Sequence, residues 1–180
     1  MLLEFKIKNY KSFAEEAVFS MVAAPKQKGL DYSLMKTRVK GKEIKGLSSS
    51  VIYGPNASGK TNIIGAMDVL RSIVLRGNIR NSEEKSSPNP AAEALELIPN
   101  SDDTEGKPVC FSIEFYTGDA ENQFRILYEL EIDLGVFLNE DYPRRIISEN
   151  LFVNGEPVFQ RSGRLYLGNM KVIKGYLSGV

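Results

Sequence analysis

The sequence predicts an α/β fold: a partly parallel core sheet that carries a phosphate-binding loop, joined to an antiparallel β-subdomain. Three observations predict it. The run Gly54-Pro55-Asn56-Ala57-Ser58-Gly59-Lys60-Thr61 fits the pattern G-x-x-x-x-G-K-[ST] at every fixed position. A β-rich run precedes it and a helical apolar pattern follows it, so the order is strand, glycine loop, helix. Beyond Val109, apolar and polar residues alternate with a period of two.

The strand before the loop is read at Ser50-Val51-Ile52-Tyr53. A short apolar run of this kind is expected for a strand buried in a parallel sheet. After the loop, Ile63, Ile64, Met67, Leu70, Ile73 and Val74 recur at helical spacing, and Gly77 is a plausible C-terminal stop. Each part of the loop has a physical task. The glycines let the backbone fold tightly, so successive N–H groups converge on an anion. A helix starting at the second glycine adds its positive dipole end. Lys60 supplies a mobile cation for the β- and γ-phosphates, and Thr61 a hydroxyl for a bound Mg²⁺.

Residues 1–76 hold the N-terminal strands, the loop and the helix. Leu3, Phe5 and Ile7 alternate with Glu4, Lys6 and Lys8, which predicts a half-buried strand. Asn9 to Ser12 reads as a turn, and Phe13 to Met21 as a strand returning beside the first. Pro25 to Gly46 is polar and lysine-rich, and reads as a loop or a short irregular hairpin. Residues 77–108 are rich in breakers and read as an exposed connector, with a turn or two of helix available over Ala91 to Leu97. Residues 109–162 form the antiparallel β-subdomain. Val109 to Tyr116 and Phe124 to Asp133 make a hairpin, Arg145 to Val153 a third strand, Asn154-Gly155 a tight turn and Pro157 to Gln160 a short return. The tail, 163–180, is compatible with helix or strand.

Composition narrows the chemistry. The 180 residues suffice for one domain with a real core, and 42% are apolar. Lys+Arg and Asp+Glu both total 23, so no global basic excess argues for nucleic acid. The absence of histidine removes every His-based general base, triad or metal site. Cys110 is the single cysteine, so an internal disulfide and a Cys-rich zinc site are both excluded; it reads as a strand residue. The N-terminus alternates with lysines and shows no signal-peptide pattern, and no apolar run is long enough to span a bilayer. A cytoplasmic location is expected.

The opening Leu3-Glu4-Phe5-Lys6-Ile7-Lys8-Asn9-Tyr10-Lys11-Ser12-Phe13 resembles the first strand and turn of ABC/SMC-type ATPase heads, which include RecF, the OLD nucleases and related AAA-family ATP-binding proteins. Gly54 to Asn62 is similar to their P-loop, including the Asn after the Thr. The downstream hairpin resembles their β-subdomain. The resemblance implies the N-terminal lobe of such a head, with ATP and Mg²⁺ as cofactors. It implies that Lys60 and the main chain from Asn56 to Thr61 hold the phosphates, that Thr61 coordinates Mg²⁺, and that Asn56 lies near the γ-phosphate. Lys11 matches a basic residue that approaches the nucleotide in some members; a solvated turn lysine fits it equally well. The family pairs two heads around two ATP molecules, so a second head or a C-terminal lobe is the implied partner. A nuclease or DNA is a further one, in DNA maintenance or antiphage defence.

Other parts of a complete head are not found in the sequence. No apolar run is followed by the Asp-Glu of a Walker B strand: Ile132-Asp133 continues into Leu134, and Leu138-Asn139-Glu140-Asp141 lacks the strand. Leu177-Ser178-Gly179 matches only the start of a signature motif, and the switch histidine is absent. This chain alone is therefore expected to bind ATP with little or no turnover. Two alternatives stay open. One is another P-loop enzyme, although no guanine-reading Asn-Lys-x-Asp segment occurs. The other is a non-enzymatic interaction module, in which Lys36-Thr37-Arg38, Lys40 and Lys42 would meet a phosphate backbone or simply be solvated.

Overall fold

The computed structural model describes residues 1–24, 29, 31–39, 41–56, 58–79, 95–118, 123–139 and 141–172. Strand β1 (Leu2–Lys8) buries Leu3, Phe5 and Ile7 on one side, as its alternation requires. Strand β2 (Ala17–Ser20) returns antiparallel to it, with Phe5 opposite Phe19. Strands β3 (Leu34–Val39) and β4 (Lys42–Leu47) pair as a separate, regular antiparallel hairpin. Helix α1 (Lys60–Arg76) ends where Gly77, at φ 67°, donates its N–H to the Ile73 carbonyl at 2.9 Å.

Strands β5 (Val109–Gly118) and β6 (Gln123–Asp133) form the long hairpin that the alternation predicts. Strand β7 (Arg145–Val153) follows, then β8 (Glu156–Ser162). Between them Asn154 and Gly155 take φ of 54° and 85°, the two positive values that a tight hairpin turn needs. In the tail, β9 (Arg164–Leu167) adds an edge strand and a 3-10 turn spans Met170–Val172.

These strands build one seven-stranded sheet in the order β2-β1-β5-β6-β7-β8-β9, antiparallel throughout. The expectation of a partly parallel core is corrected here: no parallel pair occurs among the described residues. Ser50 to Tyr53 is not a strand, and Val51 and Tyr53 are 83% and 90% exposed. The reason is pairing rather than propensity. A parallel strand buried on both faces needs neighbours on its edges, and no described strand pairs with this run. The antiparallel strands beyond Val109 are continuous with the N-terminal ones, because β1 pairs directly with β5, Ile7 lying opposite Phe111.

Within the segment read as an exposed connector, some of the described residues are covered. Ile79, Leu95, Leu97 and Asn100 are buried. Leu95 and Leu97 flank exposed Glu96 in a tight turn, the Leu97 N–H donating to the Leu95 carbonyl at 2.7 Å, and both leucines reach the core. Residues 80–94, including most of the short helix considered for Ala91 to Leu97, lie outside the described residues.

The core forms between α1 and one face of the sheet. Ile63, Ala66, Val69, Leu70 and Ile73 of the helix meet Phe5, Ile7, Val109, Phe111, Leu130 and Ile132. Burying each large aliphatic side chain is worth roughly 1.5–3 kcal/mol before entropic costs. That is what holds a helix which in isolation would be marginal. Tyr10 joins this core with its ring edge-on to Phe111, centroids 5.8 Å apart. No described helix is long and apolar enough to cross a membrane.

Candidate phosphate-binding site

The site begins with the turn after β1. Asn9 is buried at φ 52°, and its amide donates to Asp103 Oδ2 at 2.9 Å and to the Lys107 carbonyl at 2.6 Å. Tyr10 and Phe13 exchange backbone hydrogen bonds at 2.9 and 2.8 Å, which closes the turn. The Lys11 N–H donates to the Ile98 carbonyl at 3.1 Å, and buried Asn100 donates its amide to the Lys11 carbonyl at 2.6 Å. Two buried asparagines, each satisfied by partners far away in sequence, therefore fix the turn's backbone. The Lys11 ammonium pairs with Glu96 and lies 5.5 Å from the centroid of the Tyr10 ring.

The rigid turn presents Ser12 and Phe13 to the glycine loop. Asn62, in the first turn of α1, donates its side-chain amide to Ser12 Oγ at 2.8 Å. Gly59 has φ 85°, and a β-carbon there would lie 2.8 Å from Ser12 Oγ and 2.9 Å from Phe13 Cζ. This position needs glycine twice over, for its left-handed backbone and for the close approach.

At the mouth of the loop, Lys60 folds back and donates its ammonium to the carbonyls of Gly54 at 2.9 Å and Pro55 at 2.5 Å. The Asn62 and Ile63 N–H groups both donate to the Gly59 carbonyl, at 2.9 and 3.2 Å. The N–H groups of Gly59, Lys60 and Thr61 donate to no described carbonyl. They are first-turn donors that a helix cannot satisfy by itself. No acidic residue stands in that first turn, so the positive end of the helix is not neutralised from within.

These residues fit a phosphate group. Three amides and one ammonium gather at one end of a 17-residue helix. The carbonyls that hold Lys60 are neutral, and charge-assisted bonds to phosphate oxygens are about twice as strong as neutral ones. Asn56 and Thr61 are exposed beside this end; Ala57 lies outside the described residues. The described residues form no cluster of three or more His, Cys, Asp or Glu that could hold a metal alone. Thr61 and phosphate oxygens would be the ligands available to Mg²⁺, an ion that usually keeps several waters.

Of the residues singled out in the sequence, Gly54, Pro55, Asn56, Ser58, Gly59, Lys60, Thr61 and Asn62 lie along this one loop and helix start. Lys11 belongs to the supporting turn, with its charge directed to Glu96. Sequence reasoning gave no separate role to Ser12, Phe13, Asn9 or Asn100. Their only signal is the Asn-Tyr-Lys-Ser-Phe stretch itself, because local patterns do not report contacts made fifty residues apart. In the lysine-rich hairpin Lys36 pairs with Asp31 at 2.9 Å and Lys45 with Glu43 at 3.3 Å. Lys40 lies outside the described residues.

A glycine loop closing on a lysine at a helix start, backed by an antiparallel sheet, defines a nucleotide-binding, ATPase-like domain of the P-loop class. Comparison with protein families agrees. The family described as "AAA domain, putative AbiEii toxin, Type IV TA system" matches residues 49–166, more than half of the chain, and the chain belongs to this family of AAA domains. The match takes in the loop, α1 and the strands from β5 into β9. No curated protein and no solved structure matches the chain.

Proposed function

We propose that this chain is the ATP-binding lobe of an ABC/SMC-like ATPase of the RecF or OLD type, using Mg²⁺ with the nucleotide. One observation carries the reading: the Lys60 ammonium is held by the Gly54 and Pro55 carbonyls of the loop, while the N–H groups of Gly59, Lys60 and Thr61 at the start of the same helix donate to no described carbonyl. Lys60 and these amides bind the phosphates; Thr61 holds Mg²⁺, which when bound spreads the negative charge of the β- and γ-phosphates. Gly59 and Ser12 keep the loop seated against the first turn. Hydrolysis requires a Walker B carboxylate and a signature motif from sequence outside this chain or from a partner head. The unpaired, apolar Val51-Ile52-Tyr53 run supports that reading, since its exposed edge can accept a strand from a completing lobe. The process served is DNA maintenance or antiphage defence, and the toxin–antitoxin wording of the family description is compatible with the second.

The test is to titrate the chain with ATP and with GTP in the presence of Mg²⁺ and to assay phosphate release. Binding of ATP with negligible turnover is the expected result. A preference for GTP, or rapid hydrolysis by this chain alone, would favour a complete P-loop enzyme of another kind.

A further inference from the structure

Lys8 lies opposite Cys110, and Cys110 opposite Glu131, so β1 and β6 finish at the same end of the sheet. Beyond that end is a cavity of about 640 Å³. Small-molecule sites measure roughly 300–1,000 Å³ and combine apolar walls with a few polar groups. This cavity has that make-up. Ile98, Pro99, Val136 and Phe137 supply apolar wall, Asn139 adds an amide, and Arg144 is the one charged side chain among the described lining residues. No carboxylate is among them. The loop after β6 is braced around the cavity. Asp133 accepts from the Gly135 N–H at 3.0 Å and from Tyr142 Oη at 2.8 Å. At Gly135, φ 68°, a β-carbon would lie 2.6 Å from the Tyr142 ring. Leu138 is held at φ 65°, a backbone that a residue with a side chain adopts at a cost, and such strain concentrates at ligand clamps. Val136 and Phe137 are left 37% and 38% exposed, and Leu138 78%.

We infer that this cavity receives the purine base of the nucleotide whose phosphates the Gly54–Thr61 loop holds; the inference rests on the phosphate-site reading above. One turn joins the two places. The Ile98 carbonyl, on the cavity wall, accepts the Lys11 N–H at 3.1 Å. The next residue, Ser12, accepts the Asn62 amide at 2.8 Å in the first turn of α1. With two hydrogen bonds and a single residue step between them, wall and helix start lie on the order of 10 Å apart. A ribose and its phosphates bridge a gap of that order. Leu97 and Leu134 line the cavity and also belong to the core against α1, so it lies on the helix side of the sheet, as the loop does. The chemistry suits the occupant as well. A purine has two apolar faces, which Ile98 and the Phe137 ring can cover by packing and stacking. Its edge carries hydrogen-bond donors and acceptors, and the Asn139 amide offers both. The lack of a lining carboxylate spares an anionic ligand repulsion at the entrance.

Calorimetric titration of the full chain with ATP and with inorganic triphosphate, each with Mg²⁺, separates the base from the phosphates. The chain should bind ATP more tightly than triphosphate. Phe137→Ala should weaken ATP about five- to tenfold, the range of one base stacked on one aromatic ring, and leave triphosphate unchanged. A second variant reads the cavity directly. The chain has no tryptophan, so the emission of Leu138→Trp comes from the cavity rim alone. Saturating ATP should shift or quench it, and saturating triphosphate should not. Equal affinity of the unaltered chain for both ligands, a Phe137→Ala effect that is absent or the same for both, or a tryptophan signal indifferent to ATP overturns the base site and leaves the phosphate site standing. Binding of neither ligand overturns the phosphate site, and the base site with it.

Discussion

Asn62 donates its side-chain amide to the Ser12 hydroxyl at 2.8 Å, joining two residues fifty apart in sequence. This bond ties the turn after the first strand to the first turn of the phosphate-loop helix. Ser12→Ala and Asn62→Ala should therefore not be independent. A double-mutant cycle in urea is expected to give a coupling of about 0.5–1 kcal/mol, the range of a hydrogen bond near the surface. Purely additive effects would show that the contact contributes nothing to stability.

Gly59→Ala should be costly. A left-handed backbone costs an ordinary residue roughly 1–2 kcal/mol, and at φ 85° the new methyl would also meet Ser12 and Phe13 at 2.8–2.9 Å. A total loss of roughly 2–3 kcal/mol is expected from strain of this kind, read as a lower urea midpoint. Wild-type stability in this variant would contradict the close approach.

Tyr10→Phe should cost nothing or stabilise the protein. The ring is fully buried, and its hydroxyl has no hydrogen-bond partner among the described residues. Removing a buried polar atom without a partner relieves a desolvation cost of about 1–3 kcal/mol. Thermal unfolding should show an equal or higher Tm; a clear loss would mean that the hydroxyl has a partner after all.

The helix and the long hairpin were legible in the sequence because their signals are local. Ile63, Leu70 and Ile73 mark a face at period 3.6, Gly77 marks the stop, and β5 and β6 alternate across a polar turn. Partnership was not legible. Alternation shows which face Ile7 belongs to, but not that Phe111 lies opposite it. Val51 to Tyr53 has strand propensity, which cannot reveal whether a neighbouring strand is present. Leu95 and Leu97 were hidden among breakers whose composition outweighed two buried leucines. At the site, the motif named the loop, while the Ser12 and Phe13 backing depends on tertiary contact and left no spacing to read.

High pH should destabilise the fold through buried phenols. Tyr128 is pushed above the ordinary tyrosine value of 10.0, first by burial and then by its hydrogen bond to the Glu149 carboxylate. Tyr10 is pushed the same way, by burial and then by the charge of Glu96. Below pH 10 both folded and unfolded chains keep these protons, so the stabilisation is fully present. Above it the unfolded chain loses them first, and stability falls as pH rises toward the folded values. Urea midpoints followed upward from pH 9 should decline, and Tyr128→Phe should make the decline shallower. An unchanged decline would remove Tyr128 as a contributor.

The central claim is that Lys60 and the amides around it form a triphosphate site. Calorimetric titration of the intact chain and of Lys60→Ala with ATP and Mg²⁺ tests it most directly. Hydrogen bonds to charged groups are worth about 1.5–3 kcal/mol, so the variant should bind at least roughly tenfold more weakly while its unfolding midpoint stays close to wild type. Equal affinity in the two proteins would contradict the account.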